Sequence, residues 1–276
     1  MKINNILVPT DFSDCSIRAL KFAIELAKKA DAHVQVVHAL SMSIAYNEIA
    51  IPQEYEYTEA QAFDRFNELK EDLTELDSIT HSFLVNSAAT AEVIGETAEM
   101  RKADLVIMGT SGAFGLDEIL LGTNAFNAIK STDCPVIVIP EKASFTSPSS
   151  IGLAADYHKV PVKSVFEPII VLAKMYGSQV HILNVSKTNK IGNQESHQAK
   201  KFEQYFKNIQ HTYHFEIEKN VEEGINNYLS NHKIDLMVIV KRQHSLMEKL
   251  SKTSVLKKMV FHTHIPLLIL PDRPED

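Results

Sequence analysis

Glycine is scarce in this chain of 276 residues, nine in all, yet Gly109, Gly112, Gly115 and Gly122 fall within fourteen consecutive positions. They begin as the apolar run Leu105-Val106-Ile107-Met108 ends. Glycine at the carboxyl end of a strand lets the backbone turn with positive φ and brings N–H groups close to an anion that a Cβ would block. Gly122-Thr123 reads as the opening of a helix, where free N–H groups and the helix dipole favour phosphate and a threonine hydroxyl adds a donor. Two such cradles ten residues apart suit a polyphosphate. The same residues also fit plain turns with Thr123 as an N-cap. A carboxylate stands at another strand end, where Asp11 closes the run Ile6-Leu7-Val8-Pro9-Thr10. It would either bind a ligand or cap a turn.

The elements that must position these residues occur twice. At an offset of roughly 145 residues, Ile6-Leu7-Val8-Pro9-Thr10-Asp11 lines up with Ile151-Gly152-Leu153-Ala154-Ala155-Asp156. Leu26-Ala27-Lys28 followed by Val34-Gln35-Val36-Val37-His38 matches Leu172-Ala173-Lys174 followed by Val180-His181-Ile182-Leu183-Asn184. Asp104-Leu105-Val106-Ile107-Met108 matches Asp235-Leu236-Met237-Val238-Ile239, and PVIVIP at 135–140 matches PLLILP at 266–271. A domain-length repeat sets the architecture before any motif does. The expected domains are 1–142 and 149–276, joined through the Ser-rich stretch KASFTSPSS.

Each copy alternates short apolar runs with amphipathic segments, the pattern of a parallel sheet covered by helices. In the first copy the strands are expected near 3–9, 33–40, 80–85, 104–109 and 136–140, with helices at 14–30, 59–77, 91–102 and 117–131. Ser13 or Asp14 is the expected N-cap of the first helix. Right-handed crossovers give a doubly wound sheet, whose ligands sit beyond the carboxyl ends of the strands. A site built there uses residues just after strands one, two and four. The last strands are apolar runs with proline at both ends. Being sheet edges that invite pairing, residues 136–139 and 267–270 are expected to meet inside one molecule.

The run Met108-Gly109-Thr110-Ser111-Gly112 through Leu121-Gly122-Thr123 resembles the G-x2-G-x9-G-[ST] signature of the universal stress protein family, in its ATP-binding branch. Val8-Pro9-Thr10-Asp11 and Val36-Val37-His38-Ala39 are similar to that family's first and second strand ends. The resemblance spans the chain as a tandem pair. It implies two Rossmann-like (adenine nucleotide alpha hydrolase-like) α/β domains, each a five-stranded parallel sheet of order 3-2-1-4-5 with helices on both faces. It further implies that Asp11 hydrogen-bonds the nucleoside, that Ala39 meets adenine through its backbone, and that Pro9, Thr10 and Met108 line the base pocket. Gly109, Gly112, Gly122 and Thr123 would hold ribose and phosphates, with Asn124 and Ala125 offering further N–H groups. ATP with Mg²⁺ is the implied cofactor, and a homodimer remains open beyond the intramolecular pair.

Two positions depart from the family pattern. Ala113 stands where a basic residue is usual, and Phe126 where a capping-box glutamate would return a hydrogen bond. The second copy departs further, reading Lys241-Arg242-Gln243-His244 through Ser254 without a glycine. Side chains at Lys241 and His244 would fill the space phosphates need, or the basic run would touch an anion directly. Asp156 alone reads as a cap. The expectation is a second domain without nucleotide.

Composition excludes other classes. With 45% hydrophobic and 23% charged residues the chain is globular, not disordered. No apolar stretch approaches a membrane span, and the start MKINNILVPTDFSD has no signal-peptide pattern, so a cytoplasmic location is expected. Net charge is −7, with residues 1–143 acidic and 144–276 mildly basic. That distribution lacks the dense positive face of nucleic-acid binders. Nine of twelve histidines lie in the second half, whose charge should respond more to pH. Cys15 and Cys134 form no ligand set, and His262/His264 and His211/His214 lack a third ligand. No P-loop, GxSxG elbow, HExxH or first-strand Rossmann glycine fingerprint occurs. Residues 41–58, with Tyr46, Tyr55 and Tyr57, form a lid or an inter-domain packing loop. The expected function is nucleotide binding in a stress response, acting through conformation or partners. Asp117 and Glu118 are the acidic groups in the glycine segment, so turnover is the weaker expectation. Slow ATP hydrolysis, self-phosphorylation and a vestigial structural module are the alternatives.

Overall fold

The computed structural model describes residues 1–40, 58–110, 123–143, 145–158, 160–188, 193–241, 259 and 264–272. The first half runs β1 (Asn5–Thr10), α1 (Asp14–Ala30), β2 (His33–Ala39), α2 (Glu59–Asp72), β3 (His81–Asn86), α3 (Thr90–Met100), β4 (Leu105–Thr110), α4 (Thr123–Ser131) and β5 (Val136–Pro140). The second runs β6 (Ser150–Ala154), α5 (Glu167–Tyr176), β7 (Gln179–Ser186), α6 (Asn193–Tyr205), β8 (His211–Ile217), α7 (Val221–Asn231), β9 (Leu236–Lys241) and β10 (Leu267–Pro271).

Among the described residues ten strands join one sheet in the order β3-β2-β1-β4-β5-β10-β9-β6-β7-β8. Each half therefore has the order 3-2-1-4-5, and pairing within each half is parallel. At the centre β5 and β10 run antiparallel, with Val136, Ile137 and Val138 facing Ile269, Leu268 and Leu267. The prolines that bracket these strands cannot donate to a ladder, which keeps the pairing short. Close to the seam, Phe145 of the linker packs edge-on to Phe22 of α1, with ring centroids 4.9 Å apart.

Alternation along the strands builds two cores. Ile6, Val8, Leu105 and Ile107 face α1 and α2, while Leu7, Val106 and Met108 face α3 and α4. The second half repeats this, with α5 and α6 on the face of α1 and α2, and α7 on the other. Because both faces are covered, the central strands are apolar throughout rather than alternating.

Helix α1 spans 14–30 as its pattern predicts, and its N-cap is Ser13, whose side chain accepts from the Ser16 N–H. The expected helix 59–77 stops at Asp72. Leu73 is non-helical (φ −121°, ψ 68°), and residues 74–78 form a 3₁₀ turn. That turn buries both Leu73 and Leu76, which continued the helical spacing in the sequence. The expected start of the fourth helix, 117–122, lies outside the described residues. Among the described residues no helix is long and apolar enough to cross a membrane.

Candidate functional site

Parallel strands deliver their carboxyl ends to one rim of the sheet, and in the first half that rim holds a cavity of about 170 Å³. This is several times the roughly 30 Å³ share of one water. Its position between β1 and β4 is where the strand order reverses, the point at which doubly wound sheets open a crevice. Pro9, Thr10 and Asp11 reach it from β1, Ala39 from β2, Met108 and Gly109 from β4, and Ala125 from α4. Seven sequence-predicted residues thus converge there. Gly112 and Gly122 lie outside the described residues, as do Gly115, Asp117, Glu118 and the loop 41–57. Thr123 and Asn124 form the first turn of α4, and their side chains are not described.

Asp11 is bound into the turn that starts α1. Its Oδ1 accepts from the Ser13 N–H at 3.0 Å and from the Ser13 hydroxyl at 2.5 Å. Both bonds use one oxygen of the carboxylate. Burial opposes its ionisation, but the hydrogen bonds from Ser13 outweigh that and hold the pKa below its ordinary value. The cap reading of Asp11 is therefore correct and compatible with a binding role. Below it, Thr10 Oγ1 accepts from the Phe12 N–H at 3.0 Å and lies 2.9 Å from Ser16 Oγ. The Ser16 hydroxyl already donates to the Ser13 carbonyl, so Thr10 supplies the proton of that pair.

This tight turn forces Phe12 into the left-handed region at φ 61°. A bulky side chain is rarely found there. Its ring lies 4.9 Å from that of His38 and 5.1 Å from that of Phe66, with the Arg65 guanidinium 5.5 Å away. His38 donates from Nδ1 to the Thr10 carbonyl at 2.8 Å, tying β2 to the end of β1.

Gly109 has a role that spacing did not reveal. A Cβ there would sit 2.4 Å from the Cys15 carbonyl oxygen and 2.8 Å from its sulfur, so the glycine lets the start of α1 lie directly on β4. Cys15 also lines the cavity. Burial pushes its thiol up to about 11, with Asp11 and Glu141 adding to that shift and Arg18 opposing it. It stays protonated at neutral pH and is a poor nucleophile.

Residues that the sequence did not assign to the site complete the lining: Ser13, Ser16, Val37, His38, Thr110, and Thr90, Val93 and Ile94 from α3. The helical period of α3 was legible, but which side of it would reach this rim depends on the crossover from β3. Apolar Val37, Val93, Ile94 and Met108 beside polar Thr10, Asp11 and Ser13 suit a flat heterocycle carrying hydroxyl groups. Among the described residues no group of three or more His, Cys, Asp or Glu is gathered to hold a metal.

In the second half, Lys241 takes the strand position of Thr110. Its side chain does not fill a phosphate space in its own half, as the sequence suggested. Nζ donates to the carbonyls of Ile129 and Thr132 in the first half, each at 2.8 Å. Residues 242–258, with His244, lie outside the described residues.

A family model described as the universal stress protein family matches residues 2–140. A curated universal stress protein of Methanocaldococcus jannaschii is 34% identical over 140 residues, covering 49% of this chain and 80% of that protein. Universal stress protein A homolog 1 of Coxiella burnetii is 31% identical over 144 residues, covering 50% of this chain and 97% of that protein. Among solved structures, a universal stress protein from Archaeoglobus fulgidus shares the fold over 99% of this chain and 100% of its own, with a TM-score of 0.77 and 17% identity.

Proposed function

Because the chain belongs to the universal stress protein family, we propose that its first half binds an adenine nucleotide, ATP with Mg²⁺ in particular, and acts in the cytoplasm through conformation or partners. The observation that carries this reading is the convergence of Pro9, Thr10, Asp11, Ala39, Met108, Gly109 and Ala125 on one cavity at the reversal of strand order. In this reading the base lies against Val37, Ile94 and Met108, with Ala39 meeting it through the backbone. Asp11 accepts from a ribose hydroxyl, and the glycine segment with the start of α4 (Thr123, Asn124, Ala125) takes the phosphates. Gly112 and Gly122 supply backbone N–H groups that neutralise charge in place of the missing basic side chain at Ala113.

Binding without turnover is favoured. A general base works best with a pKa near the working pH, and the Asp11 carboxylate is pushed the other way. The two halves, 1–142 and 149–276, are read as a duplicated domain in which only the first keeps the site. The β5–β10 ladder would then build the pairing of two such domains into one chain, at high effective concentration. Mass spectrometry of nucleotide released from purified, denatured protein tests this reading. ATP or ADP near one per chain is the expected result, and a protein that neither retains nor takes up adenine nucleotide would refute it.

A further inference from the structure

Lys241 ends β9 in the second half, yet its side chain leaves that half. Its ammonium group meets the Ile129 and Thr132 carbonyls at the carboxyl end of α4. The last carbonyls of a helix have no partner within it and carry the negative end of its dipole. A lysine ammonium supplies charge and donors together. The group is half-buried at this contact; burial lowers the Lys241 pKa and Asp133 opposes that shift.

The other end of α4 stands at the cavity, where Ala125 contributes to the lining. The helix is nine residues long, about 13 Å from end to end. Between them Ala128 and Ile129 are buried in the same apolar cluster as Ile239, Leu267 and Ile269 of the second half. Helix α4 thus packs along its length on α3 of its own half, but its far end is held by a lysine of the second. Thr110, the counterpart of Lys241, is too short for such a reach and lines the cavity instead.

We propose that Lys241 is a positioning residue through which the second half sets the nucleotide affinity of the first, by holding α4 where its first turn meets the phosphates. This rests on the nucleotide-binding reading above. It gives the second half a task that needs no ligand of its own.

The test is calorimetry with Mg-ATP on the full chain for wild type, Lys241→Met and Lys241→Arg, together with acylation of Lys241 in the wild type followed by mass spectrometry. Coupling between sites typically amounts to five- to 150-fold. Lys241→Met is expected to weaken binding about tenfold, while Lys241→Arg, which keeps charge and donors, stays within about threefold of wild type. By reciprocity, saturating Mg-ATP should slow acylation of Lys241 several-fold. Unchanged affinity in Lys241→Met with a lowered melting temperature marks a merely structural lysine and overturns the proposal. So does an acylation rate that ATP does not move, a readout that decides even if Lys241→Met fails to fold. A wild type that binds no nucleotide overturns the nucleotide reading and this inference together, whereas binding that ignores Lys241 overturns this inference alone.

Discussion

In both halves an aspartate at the foot of the fourth strand gathers the start of the first: Asp104 Oδ2 accepts from the Asn4 and Asn5 N–H groups, and Asp235 Oδ2 from the Ser149 hydroxyl and the Ser150 N–H. In both, a side chain of the second strand reaches the carbonyl that ends the first, His38 to Thr10 and Asn184 to Ala155. Asp11 and Asp156 each accept from the N–H two residues on. The halves part at the helix that follows. Helix α1 begins three residues after Asp11 and runs for 17 residues, whereas α5 begins only at Glu167, after a 3₁₀ turn, and runs for 10. Val240 stands where Gly109 lets α1 rest on β4, and Pro161 falls within the stretch that α1 fills with helix. The strained left-handed backbone at Phe12 is not repeated at Tyr157. The two halves share the frame that orders the strands and differ in the close helix–strand approach that shapes the cavity.

The largest effects are expected from reintroducing side chains into the first half. Gly112→Val or Gly122→Val should reduce ATP affinity at least about a hundredfold while leaving the melting temperature near wild type, since a branched Cβ would stand where phosphate must approach. Unchanged affinity in both would remove the phosphate-cradle assignment. Gly109→Val, which copies the second half, should instead destabilise the fold by about 3 kcal/mol, because backbone atoms of Cys15 occupy the space. Denaturant titration separates the two behaviours.

The paired aspartates sharpen the contrast at intermediate size. Asp11→Ala loses two turn bonds and Asp156→Ala one, each worth about 1 kcal/mol, so both unfolding midpoints should fall, and that of Asp11→Ala further. Only Asp11→Ala should also weaken nucleotide binding, by about tenfold, the value of a hydrogen bond to a charged group. An equal loss in Asp156→Ala would contradict the division between the halves.

The smallest effect is a pH dependence centred in the second half. His181 lies 3.1 Å from His214 and 3.0 Å from the Tyr228 hydroxyl, and the His214 and His232 rings are 5.5 Å apart. Burial, then the neighbouring imidazoles, lower the pKa of His181 and of His214, with Glu216 partly opposing at His214. The folded state therefore holds fewer protons than the unfolded chain as pH drops below about 6.5, so stability is full above that value and falls through the depressed pKa values. The first half carries Gln35 and Leu84 at the matching places. Urea titrations at neutral and acid pH should show that His181→Gln with His214→Leu flattens this acid loss. A residual slope is expected from His33, lowered mainly by burial, and an undiminished slope would remove the second-half cluster as its source.

Much of this was legible in the sequence, for identifiable reasons. The internal match of strand runs and the Pro-bracketed last strands carried the topology, because fully covered parallel strands must be apolar on both faces. The glycine cluster and Asp11 pointed to the rim between β1 and β4. The end of α2 was not legible, since Leu69, Leu73 and Leu76 keep helical spacing whether or not the backbone stays helical. The spacing of Gly109 points to a ligand, but it gives no sign that the missing Cβ also makes room for Cys15, a contact that only the packing of α1 reveals. Lys241 was read within its own half, because nothing local announces a bond to a carbonyl 112 positions earlier in the chain.

Stoichiometry tests the division between the halves most directly. Titrating the full-length protein with Mg-ATP in a calorimeter should give one binding site per chain, whose affinity Asp11→Ala weakens and Asp156→Ala leaves untouched. Two equivalent sites per chain would contradict the account, because the half with Val240, Lys241 and no glycine segment would then bind as well as the half that has kept Gly109, Gly112 and Gly122.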